Sequence, residues 1–389
     1  MKHGASILIL TSLLALAACG PAENAPPVSQ IGGFYYVVLD APTPFERGQQ
    51  HGKALAPVIQ QVVERWRGWL GETAQMPADE VISEIMTETG WLTAAEQRTP
   101  ELVEEIRGIA EASDVDFDTL FVYGAFDETV QYLIANKDSI GAGDLNGHCT
   151  GLGVYGGTDL PTMIGQNNDL PRFYDGAHTV LHIKFPDSDL EILQFTWAGM
   201  LANNGMNNRG LGVTINFLPE PADPEGLPQA MIQRMLLHKS SVEEAVRFLR
   251  TTGFAAAMNY VIGDPERVVT VETTRDAMWV LEEFEGKPYV VHSNHLIKPE
   301  RLADEANHGL SRERLEMAIG FLRTNPEGPV LGQLKQIFAT PPICVSDPDA
   351  FGITVQSVVM ELDATGPKMH LTNGPPCLEE YAQYTTFEF

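Results

Sequence analysis

The chain has 389 residues, 44% of them hydrophobic, which suffices for a sizeable buried core. It carries 25 basic and 52 acidic side chains, a formal net charge of -27. That balance argues against nucleic acid and against anionic membrane surfaces as partners.

In chain order, Lys2 and His3 precede an apolar run from Ile7 to Leu16, followed by Ala17, Ala18 and Cys19. The run is too short for a stable membrane-spanning helix, and it has the basic start and small-residue end of a secretory signal. Leu16-Ala17-Ala18-Cys19 also resembles the lipobox of bacterial lipoproteins. The resemblance implies cleavage before Cys19, a lipid on its sulfur, a signal peptide over 1–18 and a tether over 19–33 that contains Pro21, Pro26 and Pro27. No later apolar run is long enough for a second span, so the lipid would be the sole membrane attachment. The expected place is the bacterial cell envelope, facing the periplasm. Gly20, where a retention Asp would otherwise stand, points to the outer membrane by analogy with lipoproteins.

Phe34–Leu39 reads as a strand, and Pro44 opens a long helical pattern in which Pro57 starts or kinks a second part through Leu70. Helical spacing recurs near 81–87 and 102–110, and Asp116 is placed to N-cap a helix through Ala135. Beyond Cys149 the character changes to short strands, at 180–185, 192–197 and, after a turn at 206–210, at 211–217. Two helices follow, near 229–237 and 242–249. Strands return at 259–262, 268–272, 278–281 and 290–292, then helices near 311–322 and 330–338, and strands at 354–362 and 369–372. Strands, paired helices and strands again predict a layered α+β sandwich. Cys344 and Cys377 remain available for a disulfide in an oxidising envelope, although sequence does not show whether they meet.

The chemistry gathers at Cys149, which opens a short apolar run after a polar loop. Gly165-Gln166-Asn167-Asn168-Asp169 ends the next run. A thiol heading one strand, with amides and a carboxylate ending its neighbour, supplies what acyl transfer needs: a nucleophile, hydrogen-bond donors and an orienting acid. His292 and His295 invite a metal reading, but two His without a nearby carboxylate pattern are a weak ligand set, and neither metal nor cofactor is expected.

Several separated pieces resemble the penicillin acyltransferase family, acyl-coenzyme A:6-aminopenicillanic acid acyltransferase and its bacterial relatives. They are Thr43-Pro44-Phe45-Glu46-Arg47-Gly48 with His51-Gly52, Glu105 to Ala110, Cys149-Thr150, Gly165-Gln166-Asn167 with Asp169, Asn259-Tyr260, and His292-Ser293-Asn294-His295. The resemblance implies a four-layer αββα sandwich of N-terminal nucleophile hydrolases, a mostly helical pro-segment over 34–148 and a catalytic chain over 149–389. It implies self-cleavage between His148 and Cys149, which makes Cys149 both the nucleophile and a new N-terminus. Asp169 would hold the new ammonium or the nucleophile strand. Asn294 would donate to the oxyanion, with Asn259 as a second candidate. Ser311 and Arg314 match the family's Ser-x-x-Arg helix start, where a structural salt bridge is implied.

Two departures bear on activity. The penicillin-forming enzyme has Gly before its nucleophile, where this chain has His148. It also has an Arg at the position of Phe351. Coenzyme A is scarce outside the cytoplasm. The expected activity is therefore hydrolysis of a small N-acyl amide, or transfer of its acyl group to a small amine, through a Cys149 thioester. Two alternatives stay open: an uncut Cys-His hydrolase using His292 or His295 as base, and a non-catalytic envelope lipoprotein that binds a small ligand on the same scaffold.

Overall fold

The computed structural model describes residues 28–136, 149–157, 160–284, 286–297, 309–324, 330–347 and 352–389. The expected signal peptide, the lipidation site Cys19, His148 and Phe351 lie outside the described residues. Among the described residues, no helix is long and apolar enough to cross a membrane.

Two sheets form the centre. One has nine strands: β1 (Val28–Ile31), β2 (Phe34–Leu39), β5 (His178–Lys184), β6 (Glu191–Trp197), β7 (Asn204–Asn207), β8 (Gly212–Phe217), β9 (Met258–Asp264), β10 (Arg267–Thr273) and β11 (Met278–Leu281), in that spatial order. The other has six, in the order β12 (Tyr289–His292), β3 (Thr150–Val154), β4 (Thr162–Leu170), β13 (Ile353–Leu362), β14 (Lys368–Thr372) and β15 (Thr385–Glu388). Neighbours run antiparallel throughout except β2 and β5, which pair in parallel from Tyr35↔Thr179 to Leu39↔Ile183. Near-continuous burial along β3, β4, β8 and β9 marks strands covered on both faces.

The two sheets meet face to face where glycine permits it. A methyl group on Gly212 of β8 or Gly263 of β9 would sit 2.7 Å from the Leu362 side chain of β13. Outside the six-stranded sheet, α9 (Gly309–Thr324) and α10 (Leu331–Phe338) bury Leu315, Leu334 and Phe338 against Leu152, Met163 and Val359. Outside the nine-stranded sheet lie α1 (Pro44–Ala74), α4 (Pro100–Ser113), α7 (Gln229–Leu236) and α8 (Val242–Leu249), with α2 (Ala78–Glu88), α3 (Trp91–Arg98), α5 (Phe117–Gly124) and α6 (Phe126–Asn136) around them. The order helix, sheet, sheet, helix is the four-layer αββα sandwich that the family resemblance implies.

The local chemistry explains the helical half. Thr43 and Glu46 form a reciprocal capping box at the start of α1, with Pro44 in its first turn. Pro57 does not divide the helix, which runs unbroken to Ala74. Gly48 and Gly108 let α1 and α4 touch backbone to backbone; a methyl on Gly48 would lie 2.0 Å from the Glu105 carbonyl oxygen.

Several expectations change. The predicted helix over 116–135 is two helices, broken at Ala125, whose N–H is shared between the Phe121 and Val122 carbonyls. The tether expected over 19–33 ends earlier: Val28–Ile31 pairs with β2 through a Gly32-Gly33 turn in which both residues have positive φ. Cys344 and Cys377 form a disulfide.

Candidate active site

Cys149 stands immediately before β3, an inner strand of the six-stranded sheet beside the edge strand β12, and is 6% exposed. The β3–β4 register pairs Thr150 with Asn167, which brings the last residues of β4 alongside the cysteine. The Asp169 backbone N–H faces the sulfur. The Asp169 carboxylate accepts from Thr354 Oγ1 at 2.5 Å, and its Oδ2 is buried without a hydrogen-bond partner among the described residues. Thr354 is aimed there by a bulge in β13 between Thr354 and Gln356.

Arg314, on α9 and 1% exposed, fixes the backbone at Cys149. Its Nη1 donates to the Cys149 carbonyl at 2.7 Å and to Thr150 Oγ1 at 2.9 Å, and Nη2 donates to Asn294 Oδ1 at 2.9 Å. These hydrogen bonds join Arg314 to the backbone at Cys149 and to Asn294. Asn294 is held on three sides, since its Nδ2 donates to the Phe217 carbonyl at 2.9 Å and its backbone N–H to Ser311 Oγ at 2.8 Å. Asn259 lies deeper, donating to Asn216 Oδ1 at 3.1 Å and accepting from Thr270 Oγ1 at 2.6 Å. Asn216 in turn flanks Gly151: a methyl on that glycine would sit 2.9 Å from Asn216 Oδ1.

Gln166 ties the two sheets together beneath the site. Its Oε1 accepts from the Ile215 backbone N–H at 2.9 Å, and its Nε2 donates to the Ile215 carbonyl and to Asn168 Oδ1. Asn168 donates onward to Gln356 at 2.5 Å. His292 commits both ring nitrogens elsewhere, to Glu272 at 2.8 Å and the Ser293 carbonyl at 2.7 Å. His295 Nδ1 bonds to Ser311 Oγ at 2.7 Å. The Cys-His alternative therefore gains nothing from His292. Among the described residues, no three His, Cys, Asp or Glu side chains converge to hold a metal ion.

The electrostatics follow from burial. Removal from water pushes the Cys149 thiol up to about 12; the Asp169 carboxylate adds to this, while the Asp169 N–H and the Arg314 guanidinium oppose it. Burial likewise lifts Asp169 to about 7 against the pull of Arg314 and Thr354. The thiol needs a base in direct reach to react near neutral pH.

A narrow cavity of about 30 Å³ opens beside the cysteine. Phe126, Val130, Ile215, Phe217 and Met258 make its apolar wall, and Asp127, Asn168, Asp169 and Asn203 its polar part. Asp127 and Asn203 escape sequence reasoning. Asp127 sits in the first turn of an amphipathic helix, where an acidic residue is ordinary, and Asn203 follows a tight turn.

Known proteins resemble this chain over part of its length. The 40 kDa form of acyl-coenzyme A:6-aminopenicillanic-acid-acyltransferase from Emericella nidulans is 25% identical over 278 residues, 70% of either chain. Among solved structures, an N-acylethanolamine-hydrolyzing acid amidase ortholog from Caenorhabditis elegans is 15% identical with a TM-score of 0.45, over 62% of this chain and 100% of that one. Penicillin V acylase from Agrobacterium tumefaciens is 16% identical with a TM-score of 0.40, over 58% of this chain and 84% of its own. The sequence model of the acyl-coenzyme A:6-aminopenicillanic acid acyl-transferase family matches residues 156–365, more than half of the chain, and the protein belongs to that family.

Proposed function

We propose that the protein is a self-processing N-terminal cysteine amidohydrolase or acyltransferase acting on a small N-acyl amide. The observation that carries this reading is the placement of Cys149: it heads an inner strand, its carbonyl is held by Arg314, and its sulfur opens on a cavity.

In the intact chain the Cys149 sulfur attacks the His148 carbonyl carbon. The C–N bond to Cys149 breaks, its nitrogen takes a proton, and His148 is left as a thioester on the sulfur. Water then releases the His148 carboxylate and returns the thiol. The new α-amino group, with an ordinary pKa of about 8, is the base the buried thiol otherwise lacks. In turnover that amine accepts the thiol proton as the sulfur attacks the substrate carbonyl. The amine product leaves with a proton, and the thioester passes its acyl group to water or to a second amine. Asp169 Oδ2, buried and without a partner among the described residues, would receive the new ammonium. Asn294, its orientation fixed by Arg314 and Phe217, retains one N–H for the oxyanion.

The small chain contributes part of the cavity wall through Phe126 and Val130, so it stays with the catalytic chain as part of the working enzyme. A lipid on Cys19 would hold the whole at the outer membrane, facing the periplasm. This reading is tested by the intact mass of wild type beside Cys149→Ala. Wild type should separate into two chains, the larger beginning at Cys149, while the variant stays whole. A wild-type chain still uncut after long incubation near neutral pH would sink the mechanism.

A further inference from the structure

Resting on the reading of Cys149 as nucleophile, we infer that Asp127 of α6 is a specificity residue that selects acylated amines carrying a positively charged group. The cavity holds a carboxylate with an oxygen left open. Asp127 Oδ2 is held by Gln229 Nε2 at 3.1 Å, and its Oδ1 takes no hydrogen bond among the described residues. Among the described residues, no Lys or Arg side chain lines this cavity. A ligand that reaches Asp127 must bring a donor, and an anionic ligand would meet its carboxylate at close quarters.

The neighbouring acid sharpens the argument. Glu128 accepts from the Gln229 backbone N–H at 2.6 Å, and burial together with the Asp127 charge lifts it to about 8. Burial lifts Asp127 only to about 6, the Gln229 side chain pulling it back. Near pH 7.5 the pair therefore holds its proton on Glu128, behind the cavity, and its negative charge on Asp127, which faces it. Gln229 bonds to both and separates their roles. The apolar wall of Phe126, Val130, Ile215, Phe217 and Met258 takes the hydrocarbon part of the substrate.

The test is the rate at which Cys149 is alkylated, read by intact mass, using three chloroacetamides of equal length that end in guanidinium, urea or carboxylate. In each, a new S–C bond forms at the chloromethyl carbon, chloride leaves with the bonding pair, and the thiol proton goes to the adjacent base. Wild type should label with the guanidinium probe about tenfold faster than with its neutral urea isostere, and slowest with the carboxylate. The preference should shrink as salt rises from about 20 mM to about 500 mM. In Asp127→Asn, which keeps an oxygen for Gln229, the guanidinium-to-urea ratio should fall to within about twofold, the charge term having gone. If that variant does not fold, the wild-type charge order and its salt dependence decide alone. Equal labelling by the three probes, or a ratio unchanged in Asp127→Asn, overturns the inference and leaves Cys149 as nucleophile. Absence of labelling by any probe overturns the reading of Cys149 itself, and this inference with it.

Discussion

Glu105 and Arg234 form an ion pair at 3.0 Å, with both side chains at most 2% exposed. Glu105 lies on α4, before the expected cut, and Arg234 on α7, after it, so the pair joins the two prospective chains. Arg234 also donates to the Leu201 carbonyl, which helps to satisfy the buried guanidinium. Removing one partner strands a charge away from water. Glu105→Ala is therefore expected to lower stability by about 3–5 kcal/mol, against about 1 kcal/mol or less for the exposed pair Arg247–Glu243. Urea unfolding of the two variants side by side checks this.

Arg314 holds the Cys149 carbonyl, the Thr150 hydroxyl and the Asn294 amide at once. On the proposed mechanism, Arg314→Ala should slow chain cleavage by about 100-fold or more, since both the Cys149 backbone and the Asn294 side chain lose their anchor. Arg314→Lys keeps the charge but cannot span the three acceptors, and should recover only part of the rate. The half-time of the cut, followed by mass, separates these outcomes from unchanged cleavage.

Asp169 and Glu128 both carry raised folded-state values, about 7 and about 8, against about 4 for such carboxyls in an unfolded chain. The folded chain therefore binds more protons than the unfolded one between those limits. Stability is greatest toward the acid end of the window and is lost as pH rises through the folded values. The urea midpoint is expected to fall between pH ~6.5 and pH ~8, and Glu128→Gln should flatten that slope. Burial holds His51 down at about 3, so that group acts in the opposite sense. Its contribution is present above the unfolded histidine value of about 6.5 and is lost only below it, outside this window.

Gly263 lies in the seam between the sheets. Gly263→Ala should cost about 1–3 kcal/mol, because the new methyl meets Leu362 at 2.7 Å. Adding Leu362→Ala should restore part of the loss, giving a non-additive cycle. Additive costs would show that the seam relaxes in some other way.

How much of this was legible in sequence depends on the range of the interaction. Cys149 and Asp169 could be read because each closes a local strand-and-turn pattern, and the start of α1 because Thr43, Pro44 and Glu46 cap it within one turn. The edge strands β1 and β15 were missed: Val28–Ile31 is exposed along its length, so it shows no alternation to read. The break at Ala125 was missed because neither Gly nor Pro stands there to signal it in advance. Asp127, Asn203 and Arg314 acquire their roles from partners far away in the chain; Arg314 and the Cys149 carbonyl are 165 residues apart. Asn294 is bonded to Arg314, which also holds the Cys149 carbonyl, whereas Asn259 is drawn into a chain with Thr270 and Asn216.

The parallel pairing of β2 with β5 has a consequence for the life history of the molecule. β2 belongs to the segment before Cys149, yet it sits inside the nine-stranded sheet between β1 and β5. Before any cut, sheet assembly is an intramolecular event and independent of concentration. In a chain cut at Cys149, the same strand would have to find its slot as a separate molecule. Refolding would become second order, the apparent melting point would depend on dilution, and unfolding and refolding curves would part in a loop of hysteresis. Folding first and cutting second is then the only productive order of events, and the cut acts as a ratchet on assembly.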